Sequence, residues 1–351
     1  PLRWPRFVCA CGGSITLDLA DWLAPYQRIG SDVDAQIQRW GALSVSLRGM
    51  QGELAHSYMG VLGQRTLLKR LHQLQNLTPG ADERPTPPIL QLDAIWFTQL
   101  CATGQWRTDA KGRRRPVKSR RKRGLLIALG VWPDSDYQEV LAWHLADGED
   151  TASWLTFLSQ LEEQGLRGEN GLELIIHDGG SGLCSALTTI HFDAAEQRCL
   201  FHKLRNIWQA IHVAEDFPAP ERKRQRRAIF RDFVAIFQAK QRSTVLRRAL
   251  KVVQTYRDTQ PDAVATLRRD FRATLAYFTI QECHPTWHRE YLRTTSRLER
   301  FNRPLRRRIR SANAYHSDAG VLAMIAQVVD ETIPLPSERK QYTHFQPKTI
   351  H

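Results

Sequence analysis

The chain has 351 residues, 42% hydrophobic and 25% charged, which is ordinary for a globular protein of two or three domains. Its net charge of +14 favours a polyanionic partner such as nucleic acid over the alternative of a basic protein with no such partner. No apolar run approaches the roughly 18 residues of a membrane helix, and scattered cysteines without a signal peptide pattern predict a cytoplasmic protein with reduced thiols.

The first segment, residues 1–30, carries Cys9 and Cys11 in a C-x-C-G-G sequence. A structural zinc site normally takes four ligands, so this pair predicts half of a zinc knuckle whose other ligands lie upstream of Pro1. The alternative is a pair of incidental thiols.

Residues 31–75 are predicted to form a small helical DNA-binding region. Within them, residues 44–75 have the pattern of two short helices, with Ser46 as a cap and Gly60 as a break. The second helix would expose Arg65, Lys69 and Arg70, as in a helix-turn-helix that enters a major groove. Any helical hairpin has this pattern, so DNA recognition here stays a hypothesis. Residues 76–88, rich in Pro and Gly, predict a linker.

Residues 89–202 predict an α/β domain. The order is three strands, a helix, a strand, a helix and a strand, with a Pro-Asp-Ser-Asp turn between the second and third strands and Thr151 as a helix cap. The strands are predicted at Ile89–Phe97, Leu125–Val131, Tyr137–Leu145, Leu172–Ile176 and Gln197–Phe201. Residues 203–285 predict an all-helical insertion, residues 286–331 a return to the core through a helix carrying Glu299, and residues 332–351 a tail.

Three acids stand in informative positions. Asp93 interrupts an apolar strand, where a carboxylate is costly unless it is paired or binds a cation. Asp178 ends another apolar strand, where ligand-binding groups of α/β sheets often lie. Glu299 lies beside an apolar helical stripe among many arginines. The alternatives are a salt-bridged acid, a helix cap and a surface ion pair. Together, three carboxylates would bind two divalent cations that support phosphodiester cleavage and transesterification.

Four segments resemble the Mutator-like superfamily of DDE transposases, which includes many bacterial insertion-sequence transposases. They are LDAIWF with Asp93, LIALGV followed by EVLAWHLADGEDTASWLTFLSQL, IIHDGGSGLCSAL with Asp178 followed by QRCLFHKLRNI, and TTSRLERFNRPLRRR with Glu299. They cover about residues 89–320 in the family's order. The intervals of 85 residues from Asp93 to Asp178 and 121 from Asp178 to Glu299 agree with it.

The resemblance implies an RNase H-like mixed sheet flanked by helices, with the helical insertion before the glutamate helix. It implies that Asp93, Asp178 and Glu299 bind Mg²⁺ or Mn²⁺ and that the protein cuts transposon ends and joins a 3′-hydroxyl to target DNA. Its partners would be double-stranded DNA, as terminal inverted repeats and target, and further copies of itself in a dimer or larger assembly. DNA contacts are expected from Arg113, Arg114, Arg115, Lys118, Arg120, Arg121, Lys203, Arg205, Asn302, Arg303, Arg306 and Arg307.

Some features leave alternatives open. Cys199 and His202 match the family's Cys-x-x-His signature, and a structural or DNA-contacting role is favoured over zinc. Pro304 falls inside the glutamate helix, where proline kinks a helix or costs about 3 kcal/mol. Residues 111–123 carry nine Lys or Arg where the family has a short turn, and they would contact phosphates or form a solvated mobile loop. A catalytically inactive or domesticated DNA-binding protein and an RNase H-like nuclease are therefore the alternative functions.

Overall fold

A computed structural model of the protein describes residues 6–16, 30–42, 45, 47–58, 62–73 and 86–332. Their contacts divide them into two compact units. The sheet unit takes its described residues from Ala81–Phe97 and Lys122–Arg303, and the ribbon unit from Pro1–Gly80, Thr98–Arg121 and Pro304–Ile333. The predicted cap Ser46, the predicted break at Gly60, most of the linker and nearly all of the tail lie outside the described residues.

The chain begins with a hairpin and three helices in the ribbon unit. The hairpin pairs β1 (Arg6–Val8) with β2 (Ser14–Thr16), and the helices are α1 (Ser31–Ala42), α2 (Leu47–Tyr58) and α3 (Gln64–Gln73). A small apolar core joins the helices through Ile37, Met50, Leu54, Leu67 and Leu71. Arg65 and Lys69 are exposed. Arg70, predicted to be exposed, instead lies 3.5 Å from the Asp34 carboxylate with only 18% of its side chain exposed.

Five strands form the main sheet, in the order β5-β4-β3-β6-β7. They are β3 (Ile89–Thr108), β4 (Arg114–Trp132), β5 (Tyr137–Ala146), β6 (Leu174–His177) and β7 (Ala195–Arg198). β3, β6 and β7 are parallel, and β5 is antiparallel to β4. The predicted α/β fold with an RNase H-like mixed sheet flanked by helices is confirmed.

Three helices alternate with the later strands: α4 (Thr151–Glu163), α5 (Ser181–Thr189) and α6 (Leu200–Ala210). α4 and α5 cover one face of the sheet, and the core there includes Leu90, Leu92, Phe157, Leu158 and Leu183. The predicted cap Thr151 was wrong by one residue, because the Asp150 carboxylate accepts the backbone N–H of Ser153 at 2.8 Å. The last strand was also misplaced, since β7 ends at Arg198 and residues from Leu200 onward are helical.

A run of five α-helices follows α6 within the described part of the sheet unit. It comprises α7 (Ala219–Phe237), α8 (Arg242–Tyr256), α9 (Pro261–Arg268), α10 (Tyr277–Cys283) and α11 (Arg289–Arg293). Gln197 of β7 connects this run to the sheet. Its amide nitrogen donates to the Thr274 carbonyl at 3.1 Å, and its amide oxygen accepts the Tyr277 N–H at 2.9 Å.

The described part of the chain ends with α12 (Ser296–Ala312) and α13 (Asp318–Thr332). α12 continues through Pro304, which lies inside the helix as the sequence predicted. Within the residues that the structure describes, no helix combines the length and apolar character needed to cross a bilayer.

The basic run at residues 111–123 is not the mobile loop that was one of its predicted readings. All but its first three residues lie on β4, and β3 and β4 form a long two-stranded hairpin closed by a tight turn. The turn is fixed at Asp109, whose backbone N–H donates to the Arg113 carbonyl at 2.9 Å.

Candidate nucleic-acid cleavage site

Two of the predicted acids, Asp93 and Asp178, come directly after residues that pair with each other on neighbouring parallel strands. Leu92 of β3 pairs in register with His177 of β6, so Asp93 and Asp178 are the next residues of the same cross-strand row. Register partners on neighbouring strands stand only about 4.8 Å apart. Asp93 is 7% exposed and Asp178 is partly buried. The sheet therefore brings two carboxylates side by side at low exposure.

The same row continues into the third parallel strand. His177 pairs with Arg198 of β7, and the Cys199 N–H donates to the His177 carbonyl at 2.8 Å. Cys199 therefore stands next to Asp178, as Asp178 stands next to Asp93. The three residues come from separate sequence motifs, and parallel pairing is what aligns them.

α12 crosses the face of the sheet that carries this row. The Gln91 amide oxygen accepts the Leu298 N–H at 3.0 Å, and its amide nitrogen donates to the Thr294 carbonyl at 3.1 Å. One helical turn further on, Asn302 donates to the Asp93 carboxylate at 2.8 Å. Two strand residues advance about 6.6 Å and four helix residues about 6 Å, so both contacts form without distortion.

Glu299 lies on the same turn of α12 and faces α6. Its carboxylate is 3.5 Å from the His202 Nε2. One turn earlier on each helix, the Cys199 Sγ accepts the Thr295 N–H and hydroxyl, each at 3.4 Å. Cys199 of the Cys-x-x-His motif thus contacts Thr295, directly before α12, and His202 contacts Glu299, four residues later on α12. Burial raises the pKa of the Cys199 thiol.

In the loop that carries Asp178, the backbone at Gly179 passes close to the Arg198 side chain. Gly179 has a φ of +76°, and a Cβ at this position would overlap the Arg198 guanidinium. Its N–H donates to the Nδ1 of His177 at 3.1 Å, and the Gly180 N–H donates to the Asp178 carboxylate at 2.9 Å. Burial, reinforced by the Arg198 charge, lowers the pKa of His177 to about 4, so its imidazole is neutral at pH 7.

Glu149 is a fourth acid of this region that the sequence reasoning did not single out. Its carbonyl packs against Gly182 of α5, and burial, followed by the charge of Asp178, raises its pKa. The available signal was its position: it lies in the acidic segment between β5 and α4, at the edge of the sheet where the other acids were expected.

The carboxylates have the chemistry of a divalent-cation site, although their side chains are not gathered into a complete ligand set. Carboxylate oxygens are the ligands that Mg²⁺ and Mn²⁺ prefer. Asp93 and Asp178 share a row of the sheet. Among the described residues, no three His, Cys, Asp or Glu side chains lie close enough to hold a metal ion. The Glu299 carboxylate lies 3.5 Å from the Nε2 of His202.

Most of the predicted DNA-contacting side chains are exposed, and two are not. The exposed ones are Arg113, Arg114, Arg115, Lys118, Arg120, Arg121, Arg205, Arg303, Arg306 and Arg307. Asn302 is fully buried against Asp93. Lys203 is 2% exposed and its ammonium donates to the Arg269 carbonyl, so neither side chain faces solvent as expected.

Cys9 and Cys11 lie at the exposed tip of the β1–β2 hairpin. The Gly12 N–H donates to the Cys9 carbonyl at 2.9 Å, and the Cys11 N–H points to the Cys9 sulfur at 3.4 Å. A hydrogen bond from Cys9 lowers the pKa of the Cys11 thiol. This hairpin presents two thiols together, but the described residues supply no third ligand.

Comparison with known proteins identifies the relatives of the chain. The model of the family described as "Transposase, Mutator family" matches residues 104–333. The transposase for insertion sequence element IS406 from Burkholderia multivorans is 29% identical over 64% of this chain and 53% of its own. The transposase for insertion sequence element IS256 in transposon Tn4001 from Staphylococcus aureus is 29% identical over 58% of this chain and 48% of its own.

A third relative matches more of the chain. The transposase for insertion sequence element ISRM3 from Rhizobium meliloti is 22% identical over 88% of this chain and 70% of its own. The chain spans about half the length of the first two relatives. Among solved structures, the Drosophila P element transposase strand transfer complex aligns over 88% of this chain and 93% of that chain, with 11% identity. Its TM-score of 0.45 is too low to support a conclusion.

Proposed function

Because this chain belongs to the Mutator family of transposases, we propose that it cuts DNA at the ends of an insertion sequence and joins the freed 3′-hydroxyl to target DNA. One observation carries the proposal. Asp93 and Asp178 share a cross-strand row, and the helix bearing Glu299 contacts that row through Asn302. The acids were selected from three separate motifs, and a chance arrangement would not connect all three elements.

We propose that Asp93, Asp178 and Glu299 hold divalent cations, Mg²⁺ or Mn²⁺. Such ions would supply charge stabilisation for the attacking and leaving oxygens of a phosphodiester. Asn302 and His202 would position the carboxylates of these acids. Asn302 orients the Asp93 carboxylate as a neutral hydrogen-bond donor. His202 holds the Glu299 carboxylate beside α6, from which it would join the other two acids.

The substrate and partners belong to the same proposal. The substrate would be duplex DNA carrying the terminal inverted repeats of the element, with a second duplex as target. The net charge of +14 suits this partner. Exposed Arg205 of α6 and Arg303 of α12 lie on the two helices that meet at His202 and Glu299, where they would bind phosphates next to the acids. A dimer or larger assembly would bring two element ends together.

The test is strand cleavage on duplexes that carry the terminal repeats flanking the encoding gene, with Mg²⁺ or Mn²⁺. Asp93→Asn, Asp178→Asn and Glu299→Gln should each lower cleavage by at least about a hundredfold, because each removes charge stabilisation of the transition state. Glu163→Gln, an exposed acid at the end of α4, is the matched control and should cleave normally. Unchanged cleavage by all three site variants would refute the assignment.

The products of the same reactions separate the two alternative functions. A DNA-binding protein without activity would shift terminal-repeat duplexes and leave them uncut with either metal. An RNase H-like nuclease would release hydrolysis products and never covalently join a 3′-end to target DNA. The proposal requires joined products that disappear when the 3′-hydroxyl is replaced by hydrogen.

A further inference from the structure

The hairpin of β3 and β4 carries a long basic segment, residues 98–121, which we call the basic ribbon. It lies wholly in the ribbon unit. Eight of its residues are Lys or Arg and only Asp109 is acidic. Pairing of β4 with β5 begins only at Gly124, and pairing of β3 with β6 ends at Leu92. The basic ribbon is therefore a two-stranded element outside the five-stranded part of the sheet.

Asp109 fixes the tip of the basic ribbon. Its carboxylate accepts the backbone N–H groups of Lys111 and Arg113 at 2.9 and 3.0 Å, and the Arg115 guanidinium at 2.7 Å. Gly112 has the positive φ of +71° that such a turn needs. The single acid of the segment is thus committed to the turn, and the tip is an ordered structure with a surplus of cations.

The base of the basic ribbon is held by the loop between α12 and α13. The Leu100 N–H donates to the Tyr315 carbonyl, and the Tyr315 N–H donates to the Thr98 carbonyl, both at 2.8 Å. Gln99 donates to the Asp318 carboxylate at 2.7 Å. Arg120 donates to the Asn313 side-chain oxygen at 2.7 Å. These bonds from both strands set the direction in which the ribbon leaves its base.

Between base and tip, both faces of the basic ribbon are uncovered. Every residue from Ala102 to Thr108 and from Lys111 to Pro116 is exposed. Trp106 is 58% exposed, with the Arg114 guanidinium 5.6 Å from its ring centre. A two-stranded ribbon with no covered face is marginally stable in water. This segment therefore fits a partner that contacts both faces and carries many negative charges.

We infer that the basic ribbon enters the major groove of duplex DNA and binds phosphates that border that groove. The major groove is about 12 Å wide and admits a two-stranded ribbon. The seven exposed residues from Ala102 to Thr108 extend about 23 Å, roughly two-thirds of one turn of DNA. Arg107 is the one cation of the ribbon on β3, whereas β4 carries Arg114, Arg115, Lys118, Arg120 and Arg121, so β4 would face a row of phosphates. The inference rests on the proposed function in taking DNA as the substrate.

The test compares two triple variants of the full chain, with equal loss of charge, for affinity to a mixed-sequence duplex over a salt series. Arg113→Gln, Arg114→Gln and Lys118→Gln remove three cations from the basic ribbon. The control removes three exposed cations from α7 and α8, through Lys223→Gln, Arg247→Gln and Lys251→Gln. The ribbon variant should lower the salt slope by about 2.7, because each phosphate contact contributes about 0.9. Equal losses in the two variants would overturn the inference.

Dimethyl sulfate footprinting then identifies the groove, since it methylates guanine N7 in the major groove. The wild-type protein should protect a run of N7 positions, and the ribbon variant should leave them reactive. Binding without N7 protection would overturn the inference.

The footprint is made without divalent metal, so it does not depend on cleavage. Protection without cleavage when metal is added refutes only the proposed function, and cleavage without protection refutes only the ribbon's place in the groove.

Discussion

Asn302 donates from its buried amide to the Asp93 carboxylate at 2.8 Å, three residues after Glu299 on the same helix. This bond joins an acid on the central strand to the helix that carries another acid. A substitution at Asn302 or at Asp93 is therefore expected to change the position of the Asp93 carboxylate relative to α12.

Asn302→Ala should weaken metal dependence without unfolding the protein. It removes a neutral donor that orients a proposed metal-binding carboxylate, and such losses typically cost about 10–100-fold in metal affinity or activity. Titrating cleavage against Mn²⁺ should show a higher half-saturating concentration. Asn206→Ala, a partly buried asparagine on α6, is the control and should behave as wild type. An unaltered Mn²⁺ titration for Asn302→Ala would rule out the orienting role.

Gly179→Ala and Gly180→Ala should differ sharply although they are neighbours. The φ of +76° at Gly179 strains any other residue, and a Cβ there would also displace the end of the Arg198 side chain. A Cβ on Gly180 meets only the Asp178 carboxylate, at 3.5 Å. We expect Gly179→Ala to lower the free energy of unfolding by about 2 kcal/mol or more, and Gly180→Ala by under about 1. Urea denaturation measures both, and similar values would contradict the described loop.

Cys199→Ala should loosen α12 by removing the acceptor of two bonds from Thr295. We expect a loss of about 1–3 kcal/mol in unfolding free energy, combining a small cavity with unsatisfied donors. Cys184→Ala on α5, where the thiol is only partly buried, should cost less. Zinc chelation should leave the stability of the region around Cys199 unchanged when followed by hydrogen exchange. Destabilisation by the chelator would instead indicate a zinc ligand.

Lys203 should make stability rise between about pH 8 and 10.5. Burial lowers its pKa from 10.5 to about 8 in the folded protein, so the unfolded chain binds more protons within that window. Raising the pH through the window should therefore recover up to about 3 kcal/mol that charging of Lys203 costs below pH 8. Lys203→Met should flatten this rise in urea denaturation at successive pH values. A variant with the same pH profile as wild type would refute the assignment to Lys203.

The spacing of apolar residues in the core strands and helices was sufficient to predict the order of these elements along the chain. Asp93 could be recognised because one acid stands in a nearly unbroken apolar strand. The predicted cap at Thr151 failed because Asp150 precedes it with an equally competent side chain, and only the backbone angles select between them. The end of β7 was misjudged because Leu200 and Phe201 suit a strand as well as the buried start of a helix.

The contacts among the predicted site residues depend on tertiary structure and could not be read from spacing. Asn302 lies in an arginine-rich segment and Lys203 is itself a charged residue, so composition predicts exposure for both. Burial depends instead on which face of each helix meets the sheet. The basic run at residues 111–123 was ambiguous because charged residues occur equally in loops and in exposed strands, and only pairing with β3 distinguishes the two.

Cys199 and Thr295 touch although 96 positions separate them in the chain. The helical segment from α6 to α11 therefore begins and ends at two residues that are in contact. The conformational entropy lost in closing such a segment is only slightly larger when the segment is longer, because it grows with the logarithm of the length. We expect that gain, loss or exchange of helices within this segment would leave the geometry of the proposed cleavage centre largely unchanged. This region is accordingly where relatives with the same core can diverge most in size.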